Sequence, residues 1–154
     1  MIPKKLTDSC NELVNQGVKQ LEMPIGIVSH IYNGQYEIIT INSEIDDFIQ
    51  GAVFPLSNTY CRDVYQTDKT IAITEIDHVL GMKLHPLYVS LPLEAYISAP
   101  IHHNGCVWGT VNFTSAKIRP SFGNADIELV EQYADTISKW LTDIDEISRA
   151  PWDV

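Results

Sequence analysis

Two Asn-Gly dipeptides constrain this chain more than any other feature. Asn33-Gly34 lies between the segments Ile25–Tyr32 and Gln35–Asn42, and Asn104-Gly105 lies between Ala95–His103 and Cys106–Thr114. Asn-Gly supplies the positive φ that a type I′ turn needs at both central positions, and the flanking runs are rich in Ile, Val, Tyr and Thr. Each is predicted to be a tight hairpin. With a further strand over Thr70–Ile76 between them, they predict a largely antiparallel sheet.

The second hairpin carries a register argument. A two-residue loop sets His103 opposite Cys106. Counting back pairs Ile101 with Trp108 and Ile97 with Asn112 on one face. Tyr96 and Ser98 then share the other face with Phe113 and Val111. Both faces mix apolar and polar residues, whereas a pair with one solvated face alternates cleanly. Both faces are therefore expected to be covered, one by helices and the other by something that tolerates a Tyr, a Ser and water.

Helical periodicity supplies the covers. Leu6, Cys10, Leu13, Val14, Val18 and Leu21 recur at steps of three and four, predicting a helix from Pro3 to Glu22. Gly17 weakens it by about 1 kcal/mol relative to Ala, and Met23-Pro24 ends it. A short helix over Thr59–Gln66 is capped by Ser57 or Asn58. His85–Leu91 reads as a loop with a helical turn. The last helix, Asp126–Ile147, has Val130, Tyr133, Ile137, Trp140, Ile144 and Ile147 on a heptad seam. Its far end packs either on the sheet or against a second subunit.

The chain has 154 residues, 45% of them apolar and 19% charged, the profile of one soluble globular domain. Ten Lys and Arg against 20 Asp and Glu give a net charge of −10, which argues against nucleic-acid or anionic-membrane binding. Residues 124–147 hold Asp126, Glu128, Glu131, Asp135, Asp143, Asp145 and Glu146 against Lys139. They form a solvated face or a docking surface for a basic partner. Cys10, Cys61 and Cys106 are odd in number and far apart, which argues against a disulfide scaffold or structural zinc site and for a reducing cytoplasm. The N-terminal residues do not read as a signal peptide, and no stretch approaches the roughly 18 apolar residues of a membrane span. Asn112-Phe113-Thr114 matches a glycosylation sequon but lies in a predicted strand. His102 and His103 are adjacent on a strand and point to opposite faces, so they do not chelate one ion together. No Walker A, G-x-G-x-x-G or H-E-x-x-H motif is present.

Four segments, in order, resemble the GAF domains of bacterial sensor kinases and diguanylate cyclases. Pro55-Leu56-Ser57-Asn58-Thr59-Tyr60-Cys61 resembles the family's L-x-x-T-Y-C segment. His85-Pro86-Leu87-Tyr88 with Leu93-Glu94-Ala95-Tyr96-Ile97-Ser98-Ala99-Pro100-Ile101 resembles its H-P-x-Y … L-E-A-Y-I-G-x-P-I block. Gly109-Thr110-Val111-Asn112-Phe113-Thr114-Ser115 resembles its G-T-L-N-F-x-S strand, and Phe122 before Asp126 matches the opening of its last helix. The resemblance runs from about Cys10 to Leu141. It implies an α+β fold: an antiparallel sheet of five or six strands, terminal helices on one face, and a loop-roofed small-molecule pocket on the other. The whole chain, 1–154, would be one such domain, with residues 1–22 as the first helix, 25–122 as sheet and pocket elements, and 124–149 as the last helix.

The resemblance, with the strand parity above, nominates Tyr60, Cys61, His85, Tyr88, Tyr96, Ser98 and Phe113 as ligand-binding residues. Tyr133, Ile137, Trp140, Ile144 and Ile147 are nominated for a homodimer interface. Phytochrome-type GAF domains hold a bilin near an H-x-x-Y segment, often through a Cys just before the His. Leu84 stands there in this chain, so no covalent bilin and no other cofactor is expected. The free methionine-(R)-sulfoxide reductase, also a lone GAF domain, carries a catalytic Cys in an H-x-x-C segment. Here that position is Tyr88, and a phenol forms neither a sulfenic acid nor a disulfide. The expected function is a cytoplasmic, non-catalytic sensory module that binds an unknown small molecule or serves as a dimerisation platform. Its signal would pass to a separate output protein, or the chain would be a piece of a larger sensor.

Overall fold

The computed structural model describes residues 3–42, 50–58, 61–73, 95–115 and 120–148. Helix α1 (Lys4–Leu21) leads into β1 (Ile25–Tyr32) and β2 (Gln35–Asn42). The short strand β3 (Val53–Pro55) runs into a 3-10 turn, Leu56–Asn58, then α2 (Cys61–Thr67) and β4 (Ile71–Ile73). Strands β5 (Ala95–His103) and β6 (Cys106–Ser115) precede the long helix α3 (Asn124–Ser148). The strands form one six-stranded sheet in the order β3-β2-β1-β6-β5-β4, with every pairing antiparallel. This is the α+β architecture expected from the sequence.

Both Asn-Gly turns close as predicted. Asn33 and Gly34 have φ of 51° and 71°, and Asn104 and Gly105 have 55° and 77°, the left-handed region that a type I′ turn demands. Helix α1 ends on Glu22 at φ 54°, its N–H bonded to the carbonyl of Val18 just before Pro24. Strand β3 was not expected. Its three residues pair with Gln35–Glu37 at the edge of β2, a length too short for a periodic signal.

The register of the second hairpin differs from the count above. His103 does face Cys106, and His102 faces Val107. Ile101 then pairs with Gly109, so Trp108 is an extra residue in β6. This β-bulge moves every later pair by one: Ile97 faces Phe113, Ser98 faces Asn112, and Tyr96 faces Thr114. Phe113 therefore lies on the face opposite Tyr96 and Ser98. It packs with Ile97, Ala99, Ile101 and Val111 in the core beneath α1 and α3.

That core explains Gly17. A Cβ at this position would collide with the ring of Phe113, and one at Gly26 would meet the same ring at 2.9 Å. The two glycines form a slot for Phe113, and Tyr133 of α3 leans on its ring with centroids 6.2 Å apart. The helix propensity lost at Gly17 is the cost of seating α1 on the sheet.

Helix α3 covers β5 and β6. Val130, Tyr133, Ala134, Ile137 and Leu141 are buried against the sheet, with Trp140 and Ile144 half-buried beside them. This corrects two nominated interface residues. Tyr133 and Ile137 are used up inside the chain's own core, because the heptad seam faces the sheet first. The side chain of Ile147 is outside the described residues. Among the described residues, no helix is long and apolar enough to cross a membrane.

Gly17→Ala should lower the urea midpoint although Ala is the better helix former, since overpacking costs about 1–3 kcal/mol. Combined with Phe113→Leu it should cost less than the sum of the two single changes, which a double-mutant cycle reads directly.

Candidate functional site

The sheet face turned away from α1 and α3 carries an unusual set of side chains. Ser29 on β1, Tyr36 on β2, Tyr96 and Ser98 on β5, and Thr110 and Asn112 on β6 all point inward. All six are buried. The 3-10 turn and α2 close over them with Leu56, Cys61 and Val64, and Ile25, Ile27, Ile31 and Ile38 surround them. No Asp, Glu, Lys or Arg is among the described residues of this cluster.

Buried polar groups have to satisfy one another. Here they do so around one sulfur. Cys61 Sγ accepts from Tyr96 Oη at 3.1 Å, Thr110 Oγ1 at 3.2 Å and Asn112 Nδ2 at 3.3 Å. Tyr36 Oη and Ser98 Oγ both lie at 3.9 Å, the limit of a contact to sulfur. Asn112 Nδ2 also reaches Tyr36 Oη at 3.2 Å. Thr110 Oγ1 and Ser29 Oγ are 2.7 Å apart, and Ser29 Oγ accepts the backbone N–H of Thr110 at 3.2 Å. One consistent assignment runs from the N–H of Thr110 through Ser29 and the Thr110 hydroxyl to the sulfur.

The electrostatics follow from burial without charge. Desolvation holds the Cys61 thiol above its ordinary value of 9.0, although hydrogen bonds from Thr110, Tyr96, Tyr36 and Ser98 pull the other way. Desolvation also pushes Tyr36 and Tyr96 well above 10.0, helped by their closeness to Cys61. At neutral pH the cluster is uncharged. It offers hydroxyl and amide donors and one polarisable acceptor, and its thiol is not a ready nucleophile.

The nominated residues divide into three groups. Cys61, Tyr96 and Ser98 meet at one point. Phe113 is on the other side of the sheet, through the bulge at Trp108. Tyr60, His85 and Tyr88, with Leu84, lie outside the described residues. The sequence count missed Ser29, Tyr36, Thr110 and Asn112. Asn112 had been paired with Ile97 on the helix side, and its sequon sits on a residue that is 2% exposed.

The three cysteines occupy three separate places. Cys10 is in the helix-side core, where burial pushes its thiol up to about 12. Cys61 is buried at the start of α2, and Cys106 is exposed at the tip of the β5–β6 hairpin. The two histidines diverge as expected. His102 Nε2 is 2.5 Å from Asp68, and His103 Nε2 is 2.8 Å from Asp145. Among the described residues no group of three His, Cys, Asp or Glu is placed to hold a metal ion.

A family model described as the GAF domain matches residues 5–139. The chain belongs to the GAF family. Solved structures superpose closely at low sequence identity. Residues 122 to 287 of a methyl-accepting chemotaxis protein match with a TM-score of 0.77 and 14% identity, over 92% of each chain. The GAF domain of an Acinetobacter phosphoenolpyruvate-protein phosphotransferase matches with 0.76 and 12%, over 94% of this chain and 86% of that one. A phycocyanobilin-bound GAF domain from a cyanobacterial phytochrome matches with 0.74 and 13%, over 90% and 85%. Among curated proteins none matches the sequence.

Two outcomes follow for this GAF domain. A disulfide thiol reagent should modify one cysteine, Cys106, quickly in the folded chain and all three once it is unfolded. The raised values of Cys10, Cys61, Tyr36 and Tyr96 also fix a pH dependence. Groups kept neutral by folding contribute stability that is whole below about pH 8.5, where an unfolded thiol begins to ionise, and is lost as pH rises beyond it. The thermal midpoint should therefore hold level from neutral pH to about pH 8.5 and then fall. Cys10→Ala should flatten part of that fall.

Proposed function

We propose that this GAF domain is a sensory module that binds a small neutral molecule non-covalently on the inner sheet face. One observation supports the reading above others: six hydroxyl, phenol and amide side chains are buried on a single face around Cys61. The opposite face is mostly apolar and covered by helices, with buried Thr40 bonded to Asn11 of α1. A core needs no such polar set, and each member costs desolvation unless satisfied. A ligand with its own acceptors and donors exchanges bonds with this set. Tyr60, His85 and Tyr88 complete the proposed site by family resemblance.

The neighbours named for chemotaxis and phosphotransfer proteins support a regulatory role, and the domain would act by population shift. Ligand would favour one packing of α2 against the sheet, and α3 would pass the change to a second subunit or a separate output protein. Of the nominated interface, Trp140 and Ile144 are the half-buried residues left to serve a homodimer, with Ile147 beyond them. No covalent pigment is proposed, since Leu84 takes the position of the attachment Cys. The thiol-reductase reading finds no support: Cys61 is buried and protonated, and Cys10 lies across the sheet from it.

A thermal-shift screen against a metabolite library, followed by native mass spectrometry, tests the binding. A ligand at about a hundred times its Kd adds about 2.7 kcal/mol, several degrees in Tm. Ser98→Val and Thr110→Val should remove most of that shift. A shift unchanged in both variants would place the ligand elsewhere, and the absence of any retained or stabilising molecule would defeat the reading. For the interface, light scattering should give twice the monomer mass. Trp140→Glu with Ile144→Glu should halve it while circular dichroism stays helical.

A further inference from the structure

A recess lies outside the inner face, on the lateral edge of the sheet. It has a volume of about 460 Å³ and runs between the outer flank of α3 and the turn leading into β4. Two facts of the topology open it. Strand β4 pairs with β5 only at Tyr96, Ile97 and Ser98, so among the described residues Ala99–His103 have no strand beside them on that side. Ile127, Glu131 and Asp135 of α3 then form the opposite wall, above buried Ala134.

The lining has two layers. The floor is apolar and mostly buried: Ala99, Pro100 and Ala134, with half-buried Ile127. The rim is acidic, with exposed Glu131 and Asp135 on α3 and Asp68 on the facing turn. Among the described residues, Lys69 is the one Lys or Arg of the lining. His102 Nε2 is held by Asp68 at 2.5 Å, and Glu131 Oε2 accepts from Thr70 Oγ1 at 2.7 Å. These contacts pin the two walls without neutralising the carboxylates of Glu131 and Asp135.

We infer that this groove docks an extended segment of a partner protein rich in Arg or Lys. The apolar floor suits the methylene stems of such side chains, whose charged heads then reach the rim. The acidity does not stop at the groove. Glu128, one turn before Glu131, extends it at an exposed position of α3, whereas Lys139 breaks the acidic row before Asp143. A second copy of this chain is disfavoured as the occupant, because its sequence has no run of more than two Lys or Arg to offer. Pro100 has no backbone N–H to give, so recognition would run through side chains rather than an added strand.

The test is fluorescence anisotropy with a labelled Arg-rich peptide of about ten residues and the whole chain at low salt, where exposed charges act most strongly. Glu131→Gln with Asp135→Asn keeps an acceptor for Thr70 and should weaken binding about fivefold, the scale of two exposed ion pairs. Asp8→Asn with Glu12→Gln on α1 removes the same charge elsewhere and should weaken it less than twofold. Backbone amide shifts on titration should concentrate at Ala99, Ile127 and Ala134. Equal loss in both double variants would mean that only bulk charge attracts the peptide, and the docking site would be rejected. Shifts centred on Ser98 and Asn112, or free arginine competing as well as the peptide does, would overturn it too. The outcome is independent of whether a metabolite binds the inner face.

Discussion

One extra residue, Trp108, decides what each face of the sheet contains. Without it, the tight turn at Asn104-Gly105 would align Tyr96 with Phe113 and mix large apolar and polar side chains on both faces. With it, the odd-numbered residues Ile97, Ala99, Ile101, Val111 and Phe113 gather beneath the helices. The even-numbered Tyr96, Ser98, Thr110 and Asn112 gather on the other face. The bulge is held in place on its own strand's neighbour. The carbonyl of Trp108 accepts from His30 Nδ1 at 2.7 Å, and the His30 ring stacks on the indole with centroids 4.2 Å apart. Gly109 follows at once, where any Cβ would strike the Ser29 carbonyl. That close approach of β1 and β6 lets Ser29 and Thr110 bond each other.

The sorting has opposite energetic consequences on the two faces. Beneath α1 and α3 the contacts are apolar and tightly shaped, as the Phe113 slot between Gly17 and Gly26 shows. Burial there supplies the favourable free energy of the fold. On the inner face the polar groups gain little net stability from each bond, but an unmade bond there is expensive. The network is therefore stiff when complete and sensitive to any group that enters with bonds of its own. Cys61 is its centre because a neutral sulfur accepts several weak bonds at longer distances than an oxygen does. A charged acceptor in its place would raise the desolvation cost of the whole cluster.

Much of this was legible in the residues. Local turn chemistry located four strands, and helical periodicity located α1 and α3 to within a few residues. Both signals are carried by short-range sterics and burial. The bulge was legible too, in a different signal from the one counted. Within β5 the sequence Ala95–Ile101 alternates, and within β6 Thr110–Thr114 alternates. The two alternations agree only when Ile97 meets Phe113, a pairing the turn alone forbids. The mixed faces produced by the turn count were the sign of an inserted residue, so the inference that both faces are covered was right for a reason that was not. Strand β3 and the convergence of Ser29 and Tyr36 on Cys61 gave no local signal. They depend on which strands become neighbours across long stretches of chain.

The two layers share strands. In β5, Tyr96 and Ser98 serve the inner network while Ile97 and Ala99, one residue away, support α3. The carbonyl of His102 at the end of that strand accepts from Ser138 Oγ at 2.5 Å, and His103 holds Asp145 further along the same helix. A strand in a close-packed sheet does not bend one face without moving the other. Displacement of Tyr96 or Ser98 by a bound molecule would thus be felt at α3 through backbone geometry, with no charged relay between the faces. The groove beside Ala99 and Asp135 lies along this same strand and helix. A partner docked there would bias the α3–β5 contact from outside, on the element that an inner-face ligand would bias from within, and the two effects would be reciprocal.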